Sequence, residues 1–112
     1  MITIRVRRNT KNEVVSYQVT GHSGTAPSGE DIVCAAVSVL AQSTILGFRH
    51  VLKQQPEYSI DDGSLHFHVG NSLSSSERKE ASILLETMVI GLKNIKEQYP
   101  TVIAIEEEEV QQ

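Results

Sequence analysis

The chain has 112 residues, a formal charge of -4 and basic residues that form no stripe or cluster, which gives one domain with a modest core and disfavours direct nucleic-acid binding. Three Tyr, two Phe and no Trp leave no stacking platform for single strands, and a single Cys excludes an internal disulfide. The apolar runs are broken by Ser, Gln, Thr and Gly before the roughly 20 residues of a membrane-spanning helix, and Met1 to Arg5 lack a signal-peptide pattern, so a reducing cytoplasm with no membrane contact is expected.

Ile2, Ile4 and Val6 alternate with Thr3, Arg5 and Arg7, and after a polar turn at Asn9 to Asn12 the alternation resumes at Val15, Tyr17 and Val19. This period of two predicts a β-hairpin with one buried face. Gly21 to Glu30 has three glycines, a proline and no period, and reads as a loop. From Asp31 to about Gln54 the pattern turns helical, with Val33, Val37, Leu40, Ile45, Phe48 and Leu52 on one broad apolar face. Gly47 inside that helix costs about 1 kcal/mol relative to Ala, which predicts close packing against another element, with Gly91 as the expected partner.

Pro56 closes the first helical pattern, and Tyr58, Ile60, Leu65, Phe67 and Val69 then flank Asp62-Gly63, a dipeptide that favours a tight type I′ hairpin turn. Ser74-Ser75-Ser76-Glu77 fits a capping box, opening a helix that carries Ile83, Leu84, Met88, Leu92, Ile95 and Tyr99 and stops at Pro100. Thr101 to Ile105 is a further β-rich run. Glu106 to Glu109 read as the start of an acidic tail, 106–112, expected to be solvated, frayed and dispensable. The order β-β-α-β-β-α-β gives an α+β domain, a mainly antiparallel sheet packed with two long helices.

The chemistry concentrates around the glycine-studded loop. With Asp31 as N-cap, Cys34 falls in the first helical turn, where unpaired amides and the positive end of the helix dipole favour a thiolate. Eleven residues separate His22 from Cys34, a segment that would span up to about 40 Å if extended, so the loop must fold back for imidazole and sulfur to meet. In contact, the two can exist as thiolate and imidazolium, with the histidine later protonating a leaving amine, which is the chemistry of a cysteine peptidase. Asp31 has two roles open to it: capping the helix, or orienting the histidine ring as a third member. Ser38, one turn after Cys34, either donates a hydrogen bond near the site or bonds a carbonyl four residues back. A lone cysteine among apolar neighbours such as Val33 and Ala35 also suits a small buried hydrophobe.

Gly21-His22, Gly24, Gly29 and Asp31-Ile32-Val33-Cys34-Ala35-Ala36-Val37-Ser38 resemble the signature of the ribosomal-processing cysteine proteases, the Prp or YsxB-like family of Firmicutes and related bacteria. The likeness extends over essentially the whole chain in length and element order and is most specific between Gly21 and Ser38. It implies a cytoplasmic endopeptidase that removes a short N-terminal extension from large-subunit ribosomal protein twenty-seven. It further implies Cys34 as nucleophile and His22 as general base, with Gly21, Asp31 and Ser38 in support. By the same resemblance, residues 21–31 form a mobile active-site loop, the protein is a homodimer, and an apolar groove beside the thiol receives the paired phenylalanines that precede the cut. No cofactor and no metal are expected, and backbone amides at the helix start are candidates to hold the oxyanion.

Other features carry less. Gly21-His22-Ser23-Gly24-Thr25 lacks the last glycine of a nucleophile elbow. His66 and His68 share one face of a strand without a third metal ligand, and His50 falls on the polar face of the first helix. The competing reading is a non-enzymatic homodimeric module that binds a ribosomal protein or assembly factor, with Cys34 inert. A thiol redox sensor is a third, weakened by the lack of a resolving cysteine.

Overall fold

A computed structural model describes residues 1–22 and 31–111. The elements follow the expected order: β1 (Ile2–Arg8), β2 (Val14–Thr20), α1 (Ile32–His50), β3 (Glu57–Asp61), β4 (Ser64–His68), α2 (Ser75–Gln98) and β5 (Ile103–Glu109). They build one five-stranded sheet in the order β3-β4-β2-β1-β5. The β1–β2, β2–β4 and β3–β4 pairs are antiparallel, while β1 and β5 run parallel. The sheet is thus mixed and mainly antiparallel.

Alternation sends Ile2, Ile4, Val6, Tyr17, Phe67 and Ile103 to the buried side of the sheet and Thr3, Arg5, Gln18 and His66 to the other. The helices lie over the buried side. Three aromatics centre the core: Tyr17 stacks on Phe67 with ring centroids 4.8 Å apart, and Phe48 of α1 meets Phe67 edge-on at 4.9 Å. Tyr17 also donates its hydroxyl to the Ala41 carbonyl at 2.8 Å, which ties β2 to the middle of α1, and burial pushes its phenol pKa up.

Asp31 caps α1 and Ser74 caps α2, the latter through the full capping box with Glu77. The first helix ends at His50, earlier than the expected Gln54, because Lys53 takes a left-handed conformation (φ 57°) and Leu52 turns its amide back to the Gly47 carbonyl. By length and apolarity α1 matches a membrane-spanning segment. Its Val33, Val37, Ala41, Ile45 and Phe48 are nevertheless committed to the core.

Four further expectations need correction. Gly47 and Gly91 do not meet: a Cβ on Gly47 would lie 2.9 Å from Leu84, and one on Gly91 3.0 Å from Leu40. Each glycine receives a leucine of the other helix, and the two helices run antiparallel. The buried stripe of α2 is Ala81, Leu85, Met88, Val89 and Leu92, so Ile83 is 70% exposed and Tyr99 faces solvent. Of the Asp62-Gly63 pair, only Gly63 has positive φ (75°), which is not the type I′ geometry.

The acidic run is the fourth correction. Glu106 to Glu109 belong to β5, in register with Arg5 to Arg8 of β1. Arg5 pairs with Glu106 at 3.1 Å and Arg7 with Glu108 at 2.7 Å, while Arg8 reaches both Glu107 and Glu86 of α2. Val110 adds a backbone hydrogen bond to Arg8. The glutamates are exposed, as expected, but opposite charge across the strand pair makes an ordered edge strand of what composition alone assigns to a frayed tail.

Candidate active site

The antiparallel pairing of β2 and β4 runs to Thr20 and Ser64. One step further, Gly21 donates its amide to the Gly63 carbonyl at 3.0 Å, extending the ladder into the β3–β4 turn. Gly21 has φ 87°, and a Cβ there would run into the Met1 carbonyl oxygen, so the position requires glycine. The chain leaves this rung at His22.

Across from it, Asp31 opens α1 by accepting the Cys34 amide on Oδ1 at 3.0 Å. Of the two roles open to Asp31, this hydrogen bond shows the cap. Cys34 in the first turn is half-buried, and its Sγ lies 4.0 Å from Nδ1 of His22. A separation of that size in a substrate-free site tightens to a hydrogen bond with a small ring movement. Imidazole and thiol are therefore neighbours.

Gly21, His22, Asp31, Cys34 and Ser38 all line one cavity of about 590 Å³ between the start of α1 and the β3–β4 turn. Ser38 is exposed there, one turn after Cys34 on the same helix face. Of the four histidines only His22 lines this cavity. His68 instead accepts the Gly70 amide on Nδ1 at 3.0 Å, and His50 is exposed at the end of α1. Among the described residues no group of three or more His, Cys, Asp or Glu is placed to hold a metal. Ser23, Gly24 and Gly29 lie outside the described residues, as does most of the 21–31 loop.

Two of the amides at the helix start are committed, which leaves those of Ile32 and Val33 as the backbone candidates for an oxyanion. Cys34 donates to the Asp31 side chain and Ala35 to the Asp31 carbonyl at 3.1 Å, so neither is available to an oxyanion in this arrangement. Ser38 and Gln42 are further donors on the cavity wall. Ser38 is the nearer to Cys34, and Gln42 lies about 12 Å along the axis from it.

Sequence reasoning missed Gln42, Ile60, Asp61 and Asp62, which also line the cavity. The i, i+4, i+8 spacing of Cys34, Ser38 and Gln42 carries the first of these. The hairpin-turn residues give no local signal, because only the pairing of β4 with β2 brings them to His22. Leu65, Val19 and Ile60 supply apolar wall, and Ile60 is 48% exposed on the edge strand β3.

The family model described as cysteine protease Prp matches residues 1–104. The chain is similar to the ribosomal processing cysteine protease Prp of Bacillus subtilis, 30% identical over 105 residues that cover 88% of this chain and 90% of the relative. It is 29% identical over 99 residues to the protein of that name from Staphylococcus aureus, covering 88% and 92% of the two chains. Its fold is similar to the crystal structure of an essential ribosomal processing protease Prp from S. aureus in complex with a covalently linked product peptide. That match has a TM-score of 0.85 and 27% identity, covering 96% of this chain and 99% of the other.

Proposed function

The chain belongs to the Prp family of cysteine proteases, and from that premise we propose that it is an endopeptidase cutting a short N-terminal extension from large-subunit ribosomal protein twenty-seven. Cys34 is the nucleophile and His22 the general base. The observation that carries this reading is the 4.0 Å approach of Cys34 Sγ to His22 Nδ1 within a cavity open to a polypeptide. The covalently linked product peptide of the S. aureus relative supports it.

Nδ1 takes the thiol proton, and the thiolate attacks the scissile carbonyl carbon, forming a carbon–sulfur bond as the carbonyl pair moves to oxygen. On this reading that oxyanion is held by backbone amides at the start of α1, with Ser38 in support. The oxyanion collapses, the peptide C–N bond breaks, and His22 returns its proton to the departing amine, the new N-terminus of the processed protein. The extension remains as a thioester on Cys34. His22 then deprotonates a water that attacks the thioester, the C–S bond breaks, and the carboxylate product leaves.

The apolar wall of Val19, Ile60 and Leu65 suits aromatic residues on the acyl side of the cut. The reading places the enzyme in a reducing compartment, where its one thiol stays reduced, and as a homodimer. Two stripes at seven-residue spacing, Ile32, Val39 and Leu46 on α1 and Ile83 and Ile90 on α2, are 50–70% exposed and offer apolar surface to a second copy.

The test is incubation of the reduced protein with a peptide bearing the ribosomal extension. A single cut is expected, lost in Cys34→Ala and in Cys34→Ser, because a hydroxyl ionises far less readily than a thiol. Intact peptide after incubation with wild-type protein would return the chain to a binding module with an inert cysteine.

A further inference from the structure

We propose that Gly63, in the β3–β4 turn, is a positioning residue: the absent side chain is the seat of the His22 ring, and the turn holds that ring against Cys34. The inference rests on the protease reading above and adds the element that aims its base. The two ring nitrogens face opposite ways. Nδ1 looks to Cys34 Sγ at 4.0 Å, while Nε2 lies where a Cβ on Gly63 would stand 3.2 Å away, with Cδ2 and Cε1 each at 3.9 Å. The imidazole therefore fills a slot between thiol and turn whose back wall is bare backbone. A methyl group there crowds the slot, and the ring must give way by a few tenths of an ångström, out of its alignment with the sulfur.

The wall is tied to its occupant. Gly63 accepts the Gly21 amide at 3.0 Å, so the residue just before His22 and the residue behind its ring belong to one rung. Thr20 and Ser64 form the preceding rung, which anchors both in the sheet. A hairpin without catalytic side chains of its own thus fixes both where the histidine leaves the sheet and how far its ring can retreat. Asp31, Asp61 and Asp62 also line this cavity and are unchanged in every variant below, so their charges do not confound the comparison.

Gly63 has φ 75°, and its substitution brings backbone strain as well as crowding. Two variants separate these. Gly70 has φ 87° with nothing within 4 Å of the point where a Cβ would stand, so Gly70→Ala carries the strain alone, remote from the cavity. Gly63→Asn tolerates the left-handed conformation yet still places a Cβ behind the ring.

The rate of Cys34 alkylation by iodoacetamide is measured against pH, with the ring Cε1–H resonance of His22 followed by NMR and the thermal midpoint as a control. Gly63→Ala and Gly63→Asn are expected to shift the alkylation profile up by about one pH unit, lowering reactivity at neutral pH about tenfold. Both also move the His22 resonance. Gly70→Ala lowers the thermal midpoint and leaves profile and resonance at wild-type values. Wild-type profile and resonance in both Gly63 variants would overturn the proposal. Failure of the wild-type protein to cut the ribosomal peptide sinks the protease reading instead, and the His22 resonance still decides whether Gly63 seats the ring.

Discussion

Asp31 shows how one side chain can settle two questions. Its carboxylate oxygen accepts the Cys34 amide, so it fixes the first turn of α1 and with it the direction of the Cys34 side chain. A capping carboxylate and a ring-orienting carboxylate respond differently to isosteric replacement. Asn caps about as well as Asp, whereas Ala loses the bond and about 1 kcal/mol of stability. We expect Asp31→Asn to match the wild type in thermal midpoint and in the alkylation profile of Cys34, and Asp31→Ala to melt earlier. A displaced profile in Asp31→Asn with an unchanged midpoint would show that the charge acts on the dyad. The cap was legible in the sequence, since an Asp ahead of an apolar period is a local signal. The contact between His22 and Cys34 was legible only as a pair of plausible partners, because the rung that aims the histidine joins residues 42 apart in the chain.

Among the elements, β5 departs furthest from its sequence-based expectation. Four successive glutamates repel one another and favour a frayed tail, and nothing within their own neighbourhood reverses that preference. Arg5, Arg7 and Arg8 do, from about a hundred residues away. Lys93, against some burial and with help from Arg8, holds the Glu107 carboxyl below its ordinary 4.5. A carboxylate with a lowered folded value stabilises the fold fully above its unfolded value and loses that contribution as pH falls through the folded one. Glu107→Gln should therefore be less stable than wild type in urea at neutral pH, with the gap closing as pH falls below the ordinary glutamate range. A gap that persists in acid would mean that charge is not what holds the strand. The helices tell a related story: their caps and lengths were readable, yet Ile83 points outward because the small Ala81, easily overlooked in an apolar count, belongs to the buried stripe.

For the whole molecule, local periodicity gave every element in order but not how they assemble. Hairpins, helices and caps are written in neighbouring residues; the strand order β3-β4-β2-β1-β5, and hence the cavity at the β3–β4 turn, depends on distant pairing. The exposed stripes on the helical layer belong to the same scale. Replacing Leu46 and Ile83 together by Glu should convert a sedimenting dimer to a monomer without lowering the thermal midpoint of the isolated fold, and a wild-type chain that sediments as a monomer removes the homodimer from the proposal. The parallel joining of β1 to β5 also has a consequence during synthesis. As a nascent polypeptide emerges, β1 and β2 can form their hairpin early, but the outer flank of β1 stays bare until a stretch roughly a hundred residues downstream clears the exit tunnel. Its arginines, closely spaced along that flank, keep it charged during the wait and so discourage adhesion to other half-made chains.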